Sequence, residues 1–492
     1  VDKIEVYKKD EVFLKIDCER GTARELSDYF TFEVPGAKFM PSVRNRYWDG
    51  KIRLFNVNTR QIYVGLLKHI KHFAKERDYE VIVHDDLEDT IDVPLNELQK
   101  FLTEEKYEPR EYQLRAVAHA IRNNRALILS PTASGKSFII YSLLKFYLKQ
   151  IKGKALVIVP TTSLVSQMGS DFEDYSNGNF EKTHKIMSGV DKNDPNSRVY
   201  ISTWQSIYKQ KKEYFDQFSL IIGDEAHLFK ANSLTSIMEK LPNCKYRFGF
   251  TGTLDDTQTN KLVLEGLFGS VMKVITTKEL IDDKTLADFR IKCLVLKYPD
   301  AECKRMKGSS YVEEMDFIVG NDTRNNFIKN LTITRKGNTL LLFQYVEKHG
   351  KILYDKINSE VGDKRKVFFV YGGVDANERE EIRRITEQEN DAIIIASFGT
   401  FSTGINIRNL HNIIFGSPSK SRIRNLQSIG RGLRKGDNKE RATLYDIADK
   451  LSWKSYNNHT LKHFAVRVKL YNDEEFDYSI YNIRLNYEPL QI

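Results

Sequence analysis

Cysteine is scarce, with four in 492 residues. Cys18, Cys244, Cys293 and Cys303 stand too far apart for a C-x-x-C metal clip, and four thiols in so long a chain make no disulfide framework. Reduced, buried thiols are expected. The opening residues, VDKIEVYKKD, hold no apolar core of the kind a secretory leader needs, and no window approaches the ~18 apolar residues of a membrane span. A cytoplasmic protein without a membrane partner is the expectation. Self-similarity at a period of about 20–50 residues is also missing, which excludes a solenoid.

What the chain does have is length for about three domains. Hydrophobic residues at 41% and charged residues at 29% match ordinary soluble globular proteins. The formal charge of +9 favours a polyanionic partner, nucleic acid ahead of a plain solubility device. From Arg125 onward, β-rich runs (RALILS, ALVIVP, RVYIST, LIIGDEAH, YRFGFTG) alternate with helix-length amphipathic segments, the rhythm of a parallel sheet covered by helices. It fades over residues 276–336 and restarts with NTLLLF, KVFFVYG, DAIIIAS, HNIIFGS and ATLYDI. The predicted organisation is a small α+β unit at 1–90, a linker at 91–106, one α/β domain at 107–280, an interdomain connection at 281–336, a second α/β domain at 337–450 and a C-terminal segment at 451–492. In that last segment WKSYNNHTLKHFAVRVKLY suggests a helix docking on a neighbour or on a polyanion.

The stretch LILSPTASGKSFII, residues 127–140, joins a strand-like run to a helix-like one through glycine, lysine and serine. A strand, a tight turn and a helix N-terminus are what a phosphate-binding loop needs, because together they aim backbone N–H groups at the anion. The strict G-x-x-x-x-G-K-[ST] pattern fails at its first place, where Ser130 stands instead of glycine. Phosphate binding survives that change if residue 130 merely starts the turn without positive φ. On this reading Thr132, Ala133, Ser134 and Gly135 form the cradle, Lys136 reaches the β- and γ-phosphates, and the Ser137 hydroxyl ligates Mg2+. Asp224 and Glu225 follow the apolar strand in LIIGDEAHLF, where a sheet's carboxyl edge would set both acids beside the loop. Asp224 is expected to hold Mg2+, and Glu225 to orient and deprotonate the attacking water. Much later, NLQSIGRGLRK places Gln427, Arg431 and Arg434 at spacings of four and three, one face of a helix. That face could close on the γ-phosphate from a second domain, or be a solvated basic surface.

In this order the motifs resemble those of superfamily 2 helicases and translocases over residues 107–450. YEPREYQ resembles the adenine-reading element, which implies Gln113 on the base with Arg110 nearby. SPTASGKS resembles motif I, VIVPTTSLVSQ motif Ia, ISTWQS motif Ib and DEAH motif II, whose His227 would couple the Mg2+ site to the interdomain seam. TGT at 251–253 stands where many relatives have Ser-Ala-Thr. ASFGTFSTGIN is similar to motif V, implying Gly404 near the nucleotide and Thr400 at a nucleic-acid phosphate, with Asn406 where many relatives carry aspartate; QSIGRGLR resembles motif VI.

NRYWDGKIRLF, PTTSLVSQM, STWQSIYKQ, FSTGINIRNLHNII and SIGRGLRK are similar to UvsW-type phage helicases, which reanneal, unwind and branch-migrate DNA in recombination, repair and replication. The resemblance implies two tandem RecA-like parallel-sheet motor domains behind a small α+β DNA-binding domain. It also implies ATP and Mg2+, 3′ to 5′ polarity, a monomer, and forks, four-way junctions, duplex and single-stranded DNA as partners. A phage-encoded protein of this kind would work in the host-cell cytoplasm.

The N-terminal stretch KFMPSVRNRYWDGKIRLF packs Lys38, Arg44, Arg46, Lys51 and Arg53 around Tyr47 and Trp48, opposed by Asp49 alone. Cations that track phosphates beside rings that can stack make a nucleic-acid surface; Trp48 could equally be core and WDGK an ordinary turn. KIRLFNVNTRQIYVGLL reads as a hairpin with its tip near Asn58. Thr161 and Thr203 are expected on loops at strand ends, contacting phosphates rather than bases, and Gln205 is a further expected nucleic-acid contact. An RNA helicase and an ATP-gated nucleic-acid clamp share these motifs. The motor of a restriction system would need a nuclease constellation of clustered acids and lysine that the sequence does not show.

Overall fold

The computed structural model describes residues 2–485 except 35, 86, 89, 104, 132, 188, 255–257, 405, 406, 408, 420 and 422–440. It divides into two units, residues 1–275 and 276–492. Among the described residues no helix is long and apolar enough to cross a membrane. All four cysteines are free thiols.

Unit 1 begins with a small mixed domain. Strands β1 (Lys3–Lys8), β2 (Phe13–Cys18), β5 (Gln61–Tyr63) and β6 (Glu80–Val83) form a sheet in the order β5-β2-β1-β6, while β3 (Thr31–Glu33) and β4 (Lys51–Arg53) pair separately. The expected hairpin around Asn58 is thus split between two sheets. Only the bridge Asn56–Gln61 joins its arms, closed by a turn in which the Asn56 side chain accepts from the Asn58 and Thr59 N–H groups. Helices Arg20–Tyr29 and Leu67–Lys75 bury Leu26, Ile70 and Phe73 against the four-stranded sheet.

A seven-stranded sheet follows: β7 (Arg125–Leu129), β8 (Lys154–Val159), β9 (Thr183–Ile186), β10 (Val199–Thr203), β11 (Phe218–Asp224), β12 (Tyr246–Thr251) and β13 (Val271–Lys273). Every pairing is parallel, in the order β13-β7-β12-β11-β8-β10-β9. Helices cover both faces, so the central strands read as unbroken apolar runs. Leu127, Leu156 and Ile221 pack into one layer and Ile128, Val157 and Ile222 into the other.

The small domain is seated on this sheet through helix Gln258–Phe268. Leu262 belongs to the small domain's own apolar core, Tyr63 donates to Glu239 at 2.6 Å, and His69 pairs with Glu265. Arg125 of β7 also binds the Glu11 carboxylate at 2.7 Å.

Unit 2 is a second all-parallel sheet of seven strands: β14 (Asp288–Lys297), β15 (Thr339–Phe343), β16 (Val367–Val370), β17 (Ile393–Ser397), β18 (Asn412–Phe415), β19 (Arg441–Lys450) and β20 (Tyr478–Arg484). Their order is β16-β17-β15-β18-β19-β14-β20. This corrects two predicted boundaries. The stretch 281–336 is not simply a connection, because it supplies β14, and 451–492 is not a separate segment, because it supplies β20. Helix His459–Asp473, predicted to dock on a neighbour or a polyanion, docks on β19. Its Arg467 is buried against Asp446 at 2.8 Å, and Tyr471 donates to the same carboxylate at 2.8 Å. A second buried pair, Arg324 with Asp449 at 2.7 Å, ties helix Asp322–Thr334 to that strand.

Two substitutions test this packing. A Cβ on Gly65 would lie 2.8 Å from the Gly266 carbonyl and closer still to that of Glu265. Backbone cannot yield as a side chain can, so Gly65→Ala should cost about 1–3 kcal/mol. A melting temperature equal to wild type would refute the seating. Arg467→Met strands Asp446 in the core and should cost about 3–5 kcal/mol, read as a lowered urea midpoint for unit 2.

Candidate nucleotide and nucleic-acid site

In the parallel sheet of unit 1 the loops leaving β7, β12, β11, β8 and β10 emerge side by side, since those strands are neighbours in that order. The segments 130–131, 133–135, 252–254, 225–231, 160–161 and 203–204 therefore share the carboxyl edge, the usual place for ligands in such sheets.

The loop after β7 has the geometry of an anion cradle. Gly135 sits at φ 76 as the N-cap of helix Lys136–Leu148, and a Cβ there would meet the Gln113 amide at 2.2 Å, so both backbone and space demand glycine. Ala133 takes a positive φ of 67, an uncommon state for a residue with a Cβ. Ser130 does not, which answers the question its place in the motif raised. It is buried, its N–H donates to the Thr251 carbonyl at 2.9 Å, and its hydroxyl bonds that of Ser134. Thr132 lies outside the described residues.

Gln113 braces this loop from helix Glu111–Asn123. Its amide N–H donates to the Ser134 carbonyl at 3.0 Å, while its carbonyl accepts from the Arg110 N–H at 2.9 Å. Tyr112 also donates to Ser134, and the exposed Arg110 side chain donates to the Tyr112 hydroxyl.

Lys136 reaches across to the end of β11, 2.5 Å from Asp224 and 3.3 Å from Glu225. Burial is the largest influence on Asp224 and raises its carboxyl, with the Lys136 charge opposing it. At Glu225 burial pushes upward too, but Lys136 and His227 outweigh it and hold the carboxyl at about 2. Burial depresses Lys136, and the two acids more than reverse that. Glu225 occupies the left-handed region at φ 51. From there its carboxylate also faces His227 Nδ1 at 3.3 Å, and His227 contacts the Thr251 hydroxyl at 2.9 Å, which donates to the Thr253 carbonyl at 2.8 Å. The DEAH turn and TGT are thus one hydrogen-bonded unit. Ser137, beside Lys136, shares a 2.6 Å hydrogen bond with Tyr175.

The predicted nucleic-acid residues divide. Thr161 caps helix Thr162–Tyr175, and Gln205 is exposed on helix Trp204–Ile207. Thr203 is buried, its hydroxyl bonded to Ser206 at 3.0 Å. In unit 2 Thr400 is likewise buried and accepts from Ser397 at 2.8 Å on helix Phe398–Gly404, which Gly404 ends. Asn406, Gln427, Arg431 and Arg434 lie outside the described residues.

In the small domain Arg44 and Arg46 are exposed, Arg46 at φ 60, and Lys51 is half-buried. Of the two rings read from the sequence, the structure opens Tyr47 and turns Trp48 inward. Trp48 is half-buried and its indole N–H donates to the Lys51 carbonyl at 3.0 Å, which makes it a brace for the loop. The open rings are Tyr47, 86% exposed, and Phe39, 73% exposed, with Lys38 5.1 Å above the latter. Phe39 was missed, although a ring beside lysine with no apolar periodicity around it was a readable signal.

Comparison with known proteins agrees with this geometry. Residues 3–84 match the family described as DNA helicase UvsW, N-terminal; residues 106–256 match the type III restriction enzyme res subunit; residues 323–436 match the helicase conserved C-terminal domain. The ATP-dependent DNA helicase uvsW of Enterobacteria phage T4 is 36% identical over 98% of this chain and 100% of its own length. The DNA 3'-5' translocase XPB2 of Sulfurisphaera tokodaii is 24% identical over 77% of this chain and 88% of its own. The crystal structure of T4 UvsW covers 98% of this chain and all of its own at 35% identity, with a TM-score of 0.53. Two tandem RecA-like domains behind a UvsW-type N-terminal domain are therefore the architecture, and the chain belongs to the UvsW family of ATP-dependent DNA helicases.

Proposed function

We propose that this protein hydrolyses ATP to move along DNA with 3′ to 5′ polarity and remodels branched DNA: fork regression, branch migration of four-way junctions, unwinding and strand annealing. The convergence of Lys136, Asp224 and Glu225 at one sheet edge carries the reading. The exposed basic and aromatic loop on a domain packed against that sheet, and the names of the phage T4 and Sulfurisphaera relatives, support it.

In this reading the N–H groups of 133–137 hold the triphosphate, and Lys136 leaves the acids for the β- and γ-phosphates. Glu225 orients and deprotonates the attacking water. Ser137 and Asp224 fit Mg2+ by their chemistry: both offer hard oxygen donors, and such a site is completed by waters and phosphate oxygens rather than by a protein cage. Mg2+ would neutralise charge on the transferred phosphoryl group. Gln113 and Arg110 are assigned to adenine, and His227 to transmission between nucleotide chemistry and movement. Gln427, Arg431, Arg434 and Gly404 are assigned to the second domain's share of catalysis and nucleotide contact. Thr161, Thr203, Gln205 and Thr400 would grip the strand backbone, and Arg44, Arg46, Lys51 and Trp48 the branch, with Trp48 acting through the loop it braces. The protein would act as a monomer in the host-cell cytoplasm.

Two measurements test this. Steady-state ATPase with a four-way junction should exceed that without DNA, and Lys136→Ala should lose it by at least about a hundredfold. No DNA stimulation in wild type, or full activity in the variant, removes the proposal. Arg44→Glu with Arg46→Glu should weaken junction affinity and lower the slope of log K against log salt by about 2, near one for each lost phosphate contact. Unchanged affinity and slope would take the loop out of the DNA path.

A further inference from the structure

The mechanism leaves unused the 2.6 Å hydrogen bond between Ser137 and Tyr175. Tyr175 is the last residue of helix Thr162–Tyr175, which Thr161 caps at the other end. Its ring is fixed by edge contacts with Phe138 at 5.3 Å, Tyr141 at 5.5 Å and Tyr107 at 5.9 Å. Its carbonyl accepts from the Lys106 N–H at 3.0 Å, and the neighbouring Asp174 binds Lys106 and the Tyr107 hydroxyl. The phenol oxygen is thus held in place by three rings and by the strap of chain just before Arg110.

A serine hydroxyl has one proton and two lone pairs. A serine that ligates a cation must turn a lone pair toward it, and its proton, made more acidic by the metal, then needs an acceptor on the far side. The Tyr175 oxygen lies at the right distance to be that acceptor. We propose that Tyr175 is a positioning residue for Mg2+, accepting the Ser137 proton and so aiming the Ser137 lone pairs at the cation. The proposal rests on the assignment of Ser137 as a cation ligand. No bond to carbon or phosphorus changes in this step; only a hydrogen bond is kept and oriented. It also connects the site to Thr161, since both are set by the two ends of one 14-residue helix.

Tyr175→Phe keeps the ring contacts and removes only the oxygen. The readout is equilibrium binding of a fluorescent non-hydrolysable ATP analogue, first in EDTA and then across a Mg2+ titration, for wild type, Tyr175→Phe, Ser137→Ala and the double variant. Tyr175→Phe should leave the EDTA affinity as in wild type and raise the Mg2+ midpoint about tenfold, the usual cost of losing a partner behind a metal ligand. Ser137→Ala should raise it at least as far, and the double variant no further than Ser137→Ala. A shifted midpoint in Ser137→Ala with none in Tyr175→Phe overturns this inference and leaves the assignment of Ser137 standing. No shift in Ser137→Ala overturns both. An equal loss of affinity with and without Mg2+ in Tyr175→Phe means the residue only packs, and overturns the inference as well.

Discussion

Everything at the carboxyl edge of unit 1 depends on the ammonium of Lys136 lying between Asp224 and Glu225. A charge taken largely out of water is tolerated only with its counter-charge in contact, because in a medium of low effective dielectric the attraction must replace lost hydration. Two acids share one lysine: Lys136 and His227 together hold the Glu225 carboxyl low, while burial and the neighbouring Glu225 charge raise Asp224. The left-handed backbone at Glu225 costs of order 1 kcal/mol, and the Lys136 and His227 contacts of its carboxylate offset that. Such a cluster is poised for an incoming anion: phosphates can take the lysine, and the released acids then need a cation.

Most of this was readable. The ten runs named from Arg125 onward are all strands, nine of them inside their sheets, because a parallel strand covered on both faces has nothing but apolar residues to show; the tenth, β16, borders the second sheet. The missed strands lie toward the ends of the sheets. β9 and β13 border the first sheet and β20 the second, where one side is open to water and the apolar run is broken or short. β14 was hidden differently: its residues alternate in burial at the start and it pairs with β19, some 150 residues later in the chain, a partnership no local pattern reveals.

The candidate site was legible for the same reason the core was, since Asp224 ends a buried strand and Gly135, Lys136 and Glu225 lie beyond the ends of buried strands. In the small domain the sequence left two readings of Trp48 open. Composition marks a loop as basic and aromatic, but which ring is free depends on a single backbone acceptor, the Lys51 carbonyl, and hydrogen bonds of that sort leave no trace in spacing. Exposed Tyr47 and Phe39 beside buried Thr203 and Thr400 show that residue type at a loop is weaker information than its burial.

The seating of the small domain bears directly on the nucleotide loops. Behind the DEAH turn, Phe229 packs edge-on against Phe268 at 5.1 Å, and Gly223 and Gly249 leave the room that the Phe268 ring occupies. Phe268 ends helix Gln258–Phe268, whose other residues meet Tyr63, Gly65 and His69. One helix therefore backs the DEAH turn with its C-terminal ring and carries the small domain on its flank. Close-packed interiors transmit displacement instead of absorbing it. A shift of the small domain against the sheet would have to deform that helix or open the Leu262 contact, and either would disturb the floor beneath Glu225 and His227. The basic loop is thereby tied to the nucleotide edge of unit 1, so under the proposed function force applied to DNA on the small domain would be borne by the same elements that position Asp224 and Glu225.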